Sequence, residues 1–184
     1  RSPTQCPPGH NSSSTGLQAL EDCPLCTAGF HCPLNGTVHA TEKCPAGYFC
    51  PSGTANPTST SFSFFCNSTL LYNSLSCPTG SYCPLGSSTP RDCDAGTYQD
   101  EIGQSSCKQC PAGYFCVQKT ATPASCPQGS YCPAGTRLGT DHLCPVSTFG
   151  AAANLKAVSD CTPCTPGMYC MTAGLSAPTG RCQA

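Results

Sequence analysis

Hydrophobic residues are spread thinly along this chain and follow no sustained helical period. Proline occurs 19 times among 184 residues, and apolar and polar positions alternate only in short stretches such as GTYQDE at 96–101. Alternation of this length predicts short hairpin strands. The best helical candidate is GAAANLKAV at 150–158, enough for about two turns. The pattern predicts short antiparallel pairs and turns, with little helix and no single core.

One phrase, C-x2-G-x2-C, recurs along the chain. Its copies run over 26–32, 44–50, 77–83, 110–116, 126–132 and 164–170. Such repetition indicates an array of repeats. Each copy places a glycine three residues after its first cysteine, where we expect a tight turn with positive φ or the close approach of another backbone. These glycines are Gly29, Gly47, Gly80, Gly113, Gly129 and Gly167.

An aromatic ring precedes the second cysteine of most copies. The rings are Phe49, Tyr82, Phe115, Tyr131 and Tyr169, and His31 takes that place in the first copy. Because the chain has few large side chains, we expect the rings to form miniature cores against the disulfides or the neighbouring repeat. An exposed aromatic platform for a ligand is the alternative.

Cysteine content sets the compartment. Twenty cysteines in 184 residues is the level found in secreted disulfide scaffolds, and the number is even, as pairing requires. Glutathione and thioredoxin in the cytosol would keep so many thiols reduced, so we expect an extracellular or cell-surface location. Disulfides then replace the missing core, and without them the chain should be disordered.

Charge and hydropathy exclude several partners. Charged residues make up 9% of the chain and the net charge is −1, so no long-range field attracts nucleic acid or anionic membranes. The longest apolar patch, 62–65, is far shorter than the ~20 residues that cross a bilayer. We therefore expect no nucleic-acid partner and no direct membrane insertion. A start at Arg1 without an apolar leader suits a mature or excised piece of a larger protein.

The cysteine spacing predicts two alternating unit types and four domains. A longer unit opens with an extra cysteine pair, at Cys6 and Cys23, Cys93 and Cys107, and Cys144 and Cys161. The domains are repeat 1 at 1–52, an irregular repeat 2 at 53–92, repeat 3 at 93–143 and repeat 4 at 144–184, with Cys182 opening an interrupted unit. Segment 53–76 breaks the rule, so we expect a bend or junction there. The fold class is small disulfide-rich repeats in an elongated rod with short β-hairpins and turns.

The stretch CDAGTYQDEIGQSSCKQCPAGYFC, Cys93 to Cys116, resembles the ephrin-receptor-like cysteine-rich repeat family, which is itself similar to tumour necrosis factor receptor modules. Such repeats occur in receptor ectodomains, in secreted multidomain proteins and in surface filament proteins of flagellated protists, including mastigonemes. The resemblance implies location and architecture more than activity.

The resemblance also implies a receptor-like disulfide order. The implied pairs are Cys6–Cys23, Cys26–Cys44, Cys32–Cys50, Cys93–Cys107, Cys110–Cys126, Cys116–Cys132, Cys144–Cys161 and Cys164–Cys182. This leaves Cys66, Cys77, Cys83 and Cys170 unassigned. Two of the first three could bond locally, with the others finding partners in a neighbouring copy or beyond Ala184. Alternatively, the order differs near the irregular repeat and all twenty cysteines pair internally.

Other chemistries have little support in the sequence. Zinc could use the C-x2-C pairs such as Cys23 and Cys26, but oxidised pairs explain the surrounding cysteines better. Redox exchange would need a thioredoxin-like frame. The four histidines are scattered, no nucleophile-elbow phrase exists, and the acidic group at 92–101 lacks the spacing of a calcium loop. We expect no enzyme activity, no metal and no cofactor.

Glycan acceptors are the clearest sites outside the crosslinks. Asn11, Asn35 and Asn67 each begin an N-x-[ST] triplet, which in a secreted protein predicts N-glycosylation. Clusters rich in Ser, Thr and Pro invite O-glycosylation by composition. They lie at 1–4, 55–63, 87–90 and 120–125.

These observations favour a non-catalytic, glycosylated component of an extracellular fibre or coat. Its expected partners are other copies of itself or fellow fibre proteins. The alternative is a receptor or secreted-factor ectodomain that binds a protein ligand through loops 11–22, 67–76 and 149–160. A disulfide-rich inhibitor ranks last because no rigid exposed reactive loop is evident.

Overall fold

The computed structural model describes residues 5–14, 17, 19–58 and 75–182. The chain divides into two compact units, Arg1–Arg91 with Glu101–Ser106 and Asp92–Asp100 with Cys107–Ala184. The four domains expected from the cysteine spacing stay a prediction. Cys66, the Asn67 triplet and most of loop 67–76 lie outside the described residues.

Regular structure is limited to two-residue strands and two single-turn 3₁₀ helices among the described residues. The strands are β1 (Phe30–His31), β2 (Glu42–Lys43), β3 (Ser81–Tyr82), β4 (Arg91–Asp92), β5 (Thr97–Tyr98), β6 (Lys108–Gln109), β7 (Tyr114–Phe115), β8 (Ala124–Ser125), β9 (Thr148–Phe149), β10 (Thr162–Pro163), β11 (Met168–Tyr169) and β12 (Gly180–Arg181). Antiparallel pairs form between β1 and β2, β5 and β6, β7 and β8, β9 and β10, and β11 and β12. The 3₁₀ helices are Leu20–Asp22 and Val158–Asp160.

The expected hairpin strand within 96–101 is confirmed by β5, whereas the expected helix at 150–158 is wrong. The Gly150 N–H donates to the Leu175 carbonyl, and the Asn154 N–H donates to the Cys126 carbonyl. Both amides are therefore used across the fold and are not free for helical bonds. Only the 3₁₀ turn from Val158 follows.

One structural module recurs through the described residues, and it carries either a short disulfide, as at Cys26–Cys32, or a long one, as at Cys6–Cys23. Each module begins with a cysteine, takes a left-handed turn three residues later, and closes with a short antiparallel pair or bridge just before the next module. Nine modules can be traced through the described residues, and we number them in chain order. They begin at Cys6, Cys26, Cys44, Cys77, Cys93, Cys110, Cys126, Cys144 and Cys164.

Every disulfide among the described residues closes inside one module. Six of them join the two cysteines of the C-x2-G-x2-C phrase: Cys26–Cys32, Cys44–Cys50, Cys77–Cys83, Cys110–Cys116, Cys126–Cys132 and Cys164–Cys170. Three more join a first cysteine to one placed just before the next module, and these match the implied order: Cys6–Cys23, Cys93–Cys107 and Cys144–Cys161.

The other implied pairs are therefore corrected. Cys26–Cys44, Cys32–Cys50, Cys110–Cys126, Cys116–Cys132 and Cys164–Cys182 do not form, and Cys77, Cys83 and Cys170, left unassigned, have partners inside their own phrases. The physical reason is the turn in the middle of the phrase. Left-handed Gly113, with φ of 89°, reverses the chain and brings the Cα atoms of Cys110 and Cys116 to 5.9 Å, within the reach of a disulfide.

The disulfides are also the interior. The first cysteines of modules 1 to 8 are all at most 3% exposed, and most cysteines of the short phrases are completely buried. Large aliphatic side chains such as Leu34, Leu85 and Ile102 are instead exposed by more than half. Sulfur thus provides the small cores that the apolar residues do not, as expected from the composition.

The turn glycines meet the backbone two modules further along. A Cβ added at Gly9 would lie 2.5 Å from the Gly53 carbonyl oxygen, and one at Gly29 would lie 2.7 Å from the Gly86 carbonyl oxygen. Gly47, Gly96, Gly113 and Gly129 make the same kind of approach. Gly80 and Gly167 share the positive φ, but no heavy atom lies within 4 Å of a Cβ at Gly167. The turn therefore needs glycine for conformation and, at most modules, for space.

The irregular segment does not interrupt the register between modules 3 and 4, so the bend or junction expected there is not seen at its described ends. The Gly53 N–H donates to Cys26, and the Cys77 N–H donates to the carbonyl of Gly47, as the equivalent residues do in other modules. Residues 59–74 lie outside the described residues.

Gly96→Ala and Gly167→Ala form a matched pair of substitutions that separates the cost of a positive φ from the cost of a steric clash. Both glycines have positive φ, at 89° and 83°, which costs an alanine about 1–2 kcal/mol. Only at Gly96 would the methyl meet a carbonyl, that of Gly135, at 2.5 Å, and we expect roughly 2 kcal/mol of additional destabilisation. Amide hydrogen exchange at Cys110, whose N–H donates to Gly96, should accelerate strongly in Gly96→Ala. Equal effects of the two substitutions would contradict the close packing.

Deleting 59–73 should leave the module register intact. Thr54 to Ser76 would then contain as many residues as Thr136 to Leu143, the equivalent loop of module 7. We expect the Cys44–Cys50 and Cys77–Cys83 disulfides and slow exchange of the Cys77 amide to persist, as shown by disulfide mapping and hydrogen exchange. Scrambled pairing in the deletion variant would show that the segment holds modules 3 and 4 together.

Candidate module-stacking interface

Neighbouring modules are joined by a recurring set of four main-chain hydrogen bonds. The junction of modules 6 and 7 shows the set: two bonds exchange N–H and C=O groups around the left-handed turn, and two flank it. They are Gly113 N–H to Cys132 at 2.7 Å, Cys126 N–H to Gly113 at 3.0 Å, Cys116 N–H to Thr136 at 3.0 Å and Gly135 N–H to Cys110 at 2.8 Å.

The same four bonds occur at each described junction that lies inside one unit: 1–2, 2–3, 3–4, 5–6, 6–7, 7–8 and 8–9. Each bond contributes about 0.5–1.5 kcal/mol net, so a junction gains several kcal/mol without any particular side chain. The interface can therefore repeat while the sequence of the modules varies.

A second left-handed residue supplies the N–H that reaches back to the first cysteine of the preceding module. This position is usually glycine, as at Gly53 and Gly135, but it is Lys119 in module 6 and Asn154 in module 8. Asparagine tolerates this conformation, and the Asn154 side chain also donates a hydrogen bond of 3.0 Å to the Gly113 carbonyl. Ser147 similarly replaces glycine at the first turn of module 8, with φ of 66°.

Aromatic rings occupy one position, five residues after the first cysteine, in most modules. Phe49, Tyr82, Phe115 and Tyr131 are half-buried as expected, and His31 has the same burial, whereas Tyr169 is more exposed. Sequence analysis missed Tyr98 and Phe149, which take this position in modules 5 and 8. Alignment on Cys93 and Cys144 as first cysteines would have found them. The half-burial supports local packing and argues against a free aromatic platform.

Buried polar residues complete the interface, and the sequence analysis did not identify them. Gln99 is 1% exposed at the position where other modules carry their second cysteine, and its N–H donates to Thr120 at 3.0 Å. Thr54, Ser87 and Thr136 are buried, and each hydroxyl donates to a carbonyl three residues earlier. These hydroxyls fix the turns, since a buried hydroxyl needs a partner.

Charged groups form local pairs. His31 and Glu42 face each other across β1 and β2 with Nε2 and Oε2 3.2 Å apart. The Lys108 ammonium donates to the Asp100 carboxylate at 2.6 Å, and this hydrogen bond holds the pKa of Asp100 below its ordinary value. Such exposed pairs contribute little to stability.

The Asp160 carboxylate closes the 3₁₀ turn that precedes Cys161, which forms a disulfide with Cys144. Asp160 accepts the N–H groups of Lys156 at 2.8 Å and Ala157 at 3.1 Å, and these bonds hold its pKa below the ordinary value. The stabilisation is complete above the unfolded pKa of about 4 and is lost as pH falls through the lower folded pKa. Asp22 accepts the Ala19 N–H in the equivalent turn of module 1.

The described glycan acceptors differ in exposure. Asn35 is exposed on a turn next to Leu34, whereas Asn11 is half-buried at the position of the aromatic rings. In the clusters expected to carry O-glycans, the Ser87 hydroxyl is buried and donates to Pro84, and Thr120 donates to Val117. These two hydroxyls stabilise their turns through these hydrogen bonds. N-glycosylation at Asn11, Asn35 and Asn67 stays a prediction.

The cysteine, histidine and acidic side chains of the described residues form no metal-binding cluster. Among them, no group of three or more His, Cys, Asp or Glu side chains is arranged to hold a metal ion. The C-x2-C cysteines Cys23 and Cys26 belong to different disulfides. A shallow cleft of about 390 Å³ lies beside Asn35, lined by residues that include His31, His39 and Glu42. No helix in this part of the chain is long and apolar enough to cross a membrane.

Comparisons with known proteins agree with this geometry. Residues 80–125 match the family model described as tyrosine-protein kinase ephrin type A/B receptor-like. The chain is also similar to cysteine repeat modular protein A of Toxoplasma gondii, with 39% identity over 49 residues. That match covers 27% of this chain but 2% of the relative, so the chain spans a small fraction of the relative's length. The chain therefore carries cysteine-rich repeats, and residues 80–125 are similar to the ephrin-receptor-like family.

Proposed function

We propose that the chain is a non-catalytic structural segment of an extracellular protein, built into a surface fibre or coat. The observation that supports this most is the junction between modules, which repeats the same four backbone hydrogen bonds. Such an interface lets length grow by addition of modules and needs no specific side chain beyond the turn residues. Extracellular location is supported by nine disulfides among the described residues, which persist in oxidising compartments.

The partners that suit this role are other copies of the chain or fellow fibre proteins. Exposed apolar residues such as Leu85, Ile102 and Met171, which are 63%, 66% and 75% exposed, offer scattered lateral contacts. The weak net charge of −1 allows copies to approach without strong repulsion.

A receptor or secreted-factor ectodomain is the second candidate. The observation that favours it is a matched pair of exposed apolar residues, Leu20 at 53% and Val158 at 51%, at the start of the 3₁₀ turns of modules 1 and 8. Rigid turns that present an apolar side chain are suited to contact a protein ligand.

Electron microscopy of native material, labelled with an antibody raised against the oxidised chain, separates the two candidates. The structural role predicts label at regular intervals along filaments or across a continuous coat. Dispersed labelled particles that retain one soluble partner in fixed ratio would contradict it. In that case Leu20→Ser with Val158→Ser should abolish partner binding, while the matched exposed change Leu85→Ser should not.

The glycan part of the proposal has its own test. We expect N-glycans on Asn35, which is exposed, and on Asn11 and Asn67. Release with peptide N-glycosidase in water labelled with heavy oxygen converts each occupied asparagine to labelled aspartate, which mass spectrometry locates. Asn35→Gln should remove the label at position 35 and leave any label at Asn11 and Asn67. Unmodified asparagine at all three positions in secreted material would refute glycosylation and leave the structural role untouched.

A further inference from the structure

The loop that joins β1 to β2 in module 2 borders the cleft of about 390 Å³. Every residue that lines it lies between His31 and Glu42, so the cleft belongs to this one hairpin. Its volume falls within the roughly 300–1,000 Å³ of small-molecule sites. Asn35 is itself one of the lining residues and begins the triplet Asn35-Gly36-Thr37. We therefore call it the Asn35 cleft.

The lining of the Asn35 cleft combines apolar and hydrogen-bonding groups. Leu34 and Val38 are 68% and 51% exposed, so their side chains leave apolar surface open beside the polar His39. The His31 ring lies at the strand end of the cleft, where its Nε2 is 3.2 Å from Oε2 of Glu42. Nδ1 of the same ring is buried and has no hydrogen-bond partner among the described residues. A sugar ring, with apolar C–H faces and a rim of hydroxyl groups, matches this mixed surface.

Main-chain hydrogen bonds fix the loop that carries Asn35. The left-handed Gly36, with φ of 71°, donates its N–H to the Cys6 carbonyl at 2.8 Å. The Ser12 N–H donates to the Thr37 carbonyl at 3.0 Å. Both bonds join the loop to module 1, so Asn35 is held in place at the cleft, and a group attached to its side chain starts there.

Module 7 has a loop of the same length, and a carboxylate closes it. In both modules the next module begins after the same number of residues. The Asp141 carboxylate accepts the N–H groups of Arg137 at 3.2 Å and Leu138 at 2.9 Å. Thr41 stands at the position of Asp141 in module 2 and has no carboxylate to offer. The loop of module 2 lacks this internal contact, which leaves its cleft available to a ligand.

We propose that the Asn35 cleft seats the first N-acetylglucosamine residues of the glycan carried by Asn35 itself. The proposal rests on the glycosylation of Asn35 proposed above and adds where the sugar lies. A shallow cleft binds a free sugar weakly, but attachment to Asn35 gives the sugar an effective concentration on the order of millimolar. The seated sugar packs its apolar face on Leu34 and Val38, and its hydroxyl groups face His39. The glycan is thereby held against module 2 and covers the loop.

Release of the glycan from the folded, oxidised protein tests this seat. An endoglycosidase that cuts between the first two sugar residues must reach both of them, so it should release a seated glycan slowly. The chain is secreted from cells that keep N-glycans in their high-mannose form. We expect release from Asn35 to be about tenfold slower than from an unseated glycan. After reduction and unfolding the two rates should be equal.

The matched control for the unseated glycan is Leu138→Asn in an Asn35→Gln background. With Gly139 and Thr140 it creates the same N-G-T triplet in the equivalent loop of module 7. Leu138 is 52% exposed, so a sugar at position 138 extends into solvent. The two variants thus carry the same glycan on the same triplet, inside and outside the cleft.

A second pair of substitutions separates contact with the cleft from crowding of the enzyme. Val38→Ser removes an apolar wall of the cleft and leaves the triplet intact, so release from Asn35 should become about threefold faster. Val117→Ser changes a valine of similar exposure, 45%, in module 6 and should leave the rate unchanged.

Three results would overturn the proposal, and they can be told apart. Release from an occupied Asn35 as fast as from position 138 would refute the seat and leave glycosylation standing. Slow release that Val38→Ser does not change would assign the slow rate to crowding and not to the cleft. Unmodified asparagine at position 35, found by heavy-oxygen labelling, would refute the glycosylation of this site and the seat with it.

Discussion

The fold depends on a left-handed turn three residues after the first cysteine of each module. At Gly113 this turn brings Cys110 and Cys116 within disulfide distance, and it exposes an N–H and a C=O that pair with the next module. The absence of a Cβ also admits the Asn154 carbonyl from the module after that. One backbone conformation therefore closes the covalent loop, forms the junction and permits the close approach.

In this chain the described disulfides act within modules, whereas hydrogen bonds act between modules. By closing a loop such as 126–132, a disulfide lowers the entropy of the unfolded chain and so raises its free energy by about 2 kcal/mol; a longer loop such as 144–161 raises it by about 3 kcal/mol. None of the described disulfides joins two modules. Modules are held together by main-chain hydrogen bonds and by contacts with the next two modules. Stability is then a sum of local terms, which suits a chain that varies in length and in loop sequence.

Sequence alone predicted the repeats, the turn glycines and the absence of a single core, because these follow from the phrase itself. It did not predict the disulfide pairing, because the cysteine spacing allows Cys26 to bond either Cys32 or Cys44, and the family resemblance favoured Cys44. The helix expected at 150–158 failed because the Gly150 and Asn154 amides bond to other modules, an interaction that no local pattern reveals. Tyr98 and Phe149 were missed because their modules lack the second cysteine that marks the phrase.

Non-reducing peptide mapping tests the central claim that every disulfide closes within a module. Trypsin, applied to the alkylated, unfolded and unreduced chain, cuts after Lys43 and Lys119 among other sites, separating peptides 2–43 from 44–91 and 109–119 from 120–137. The account predicts that both pairs separate and that Cys144–Cys161 alone, among the described disulfides, joins two tryptic peptides, 138–156 and 157–181. Recovery of 2–43 linked to 44–91 through Cys26 and Cys44, or of 109–119 linked to 120–137, would contradict it.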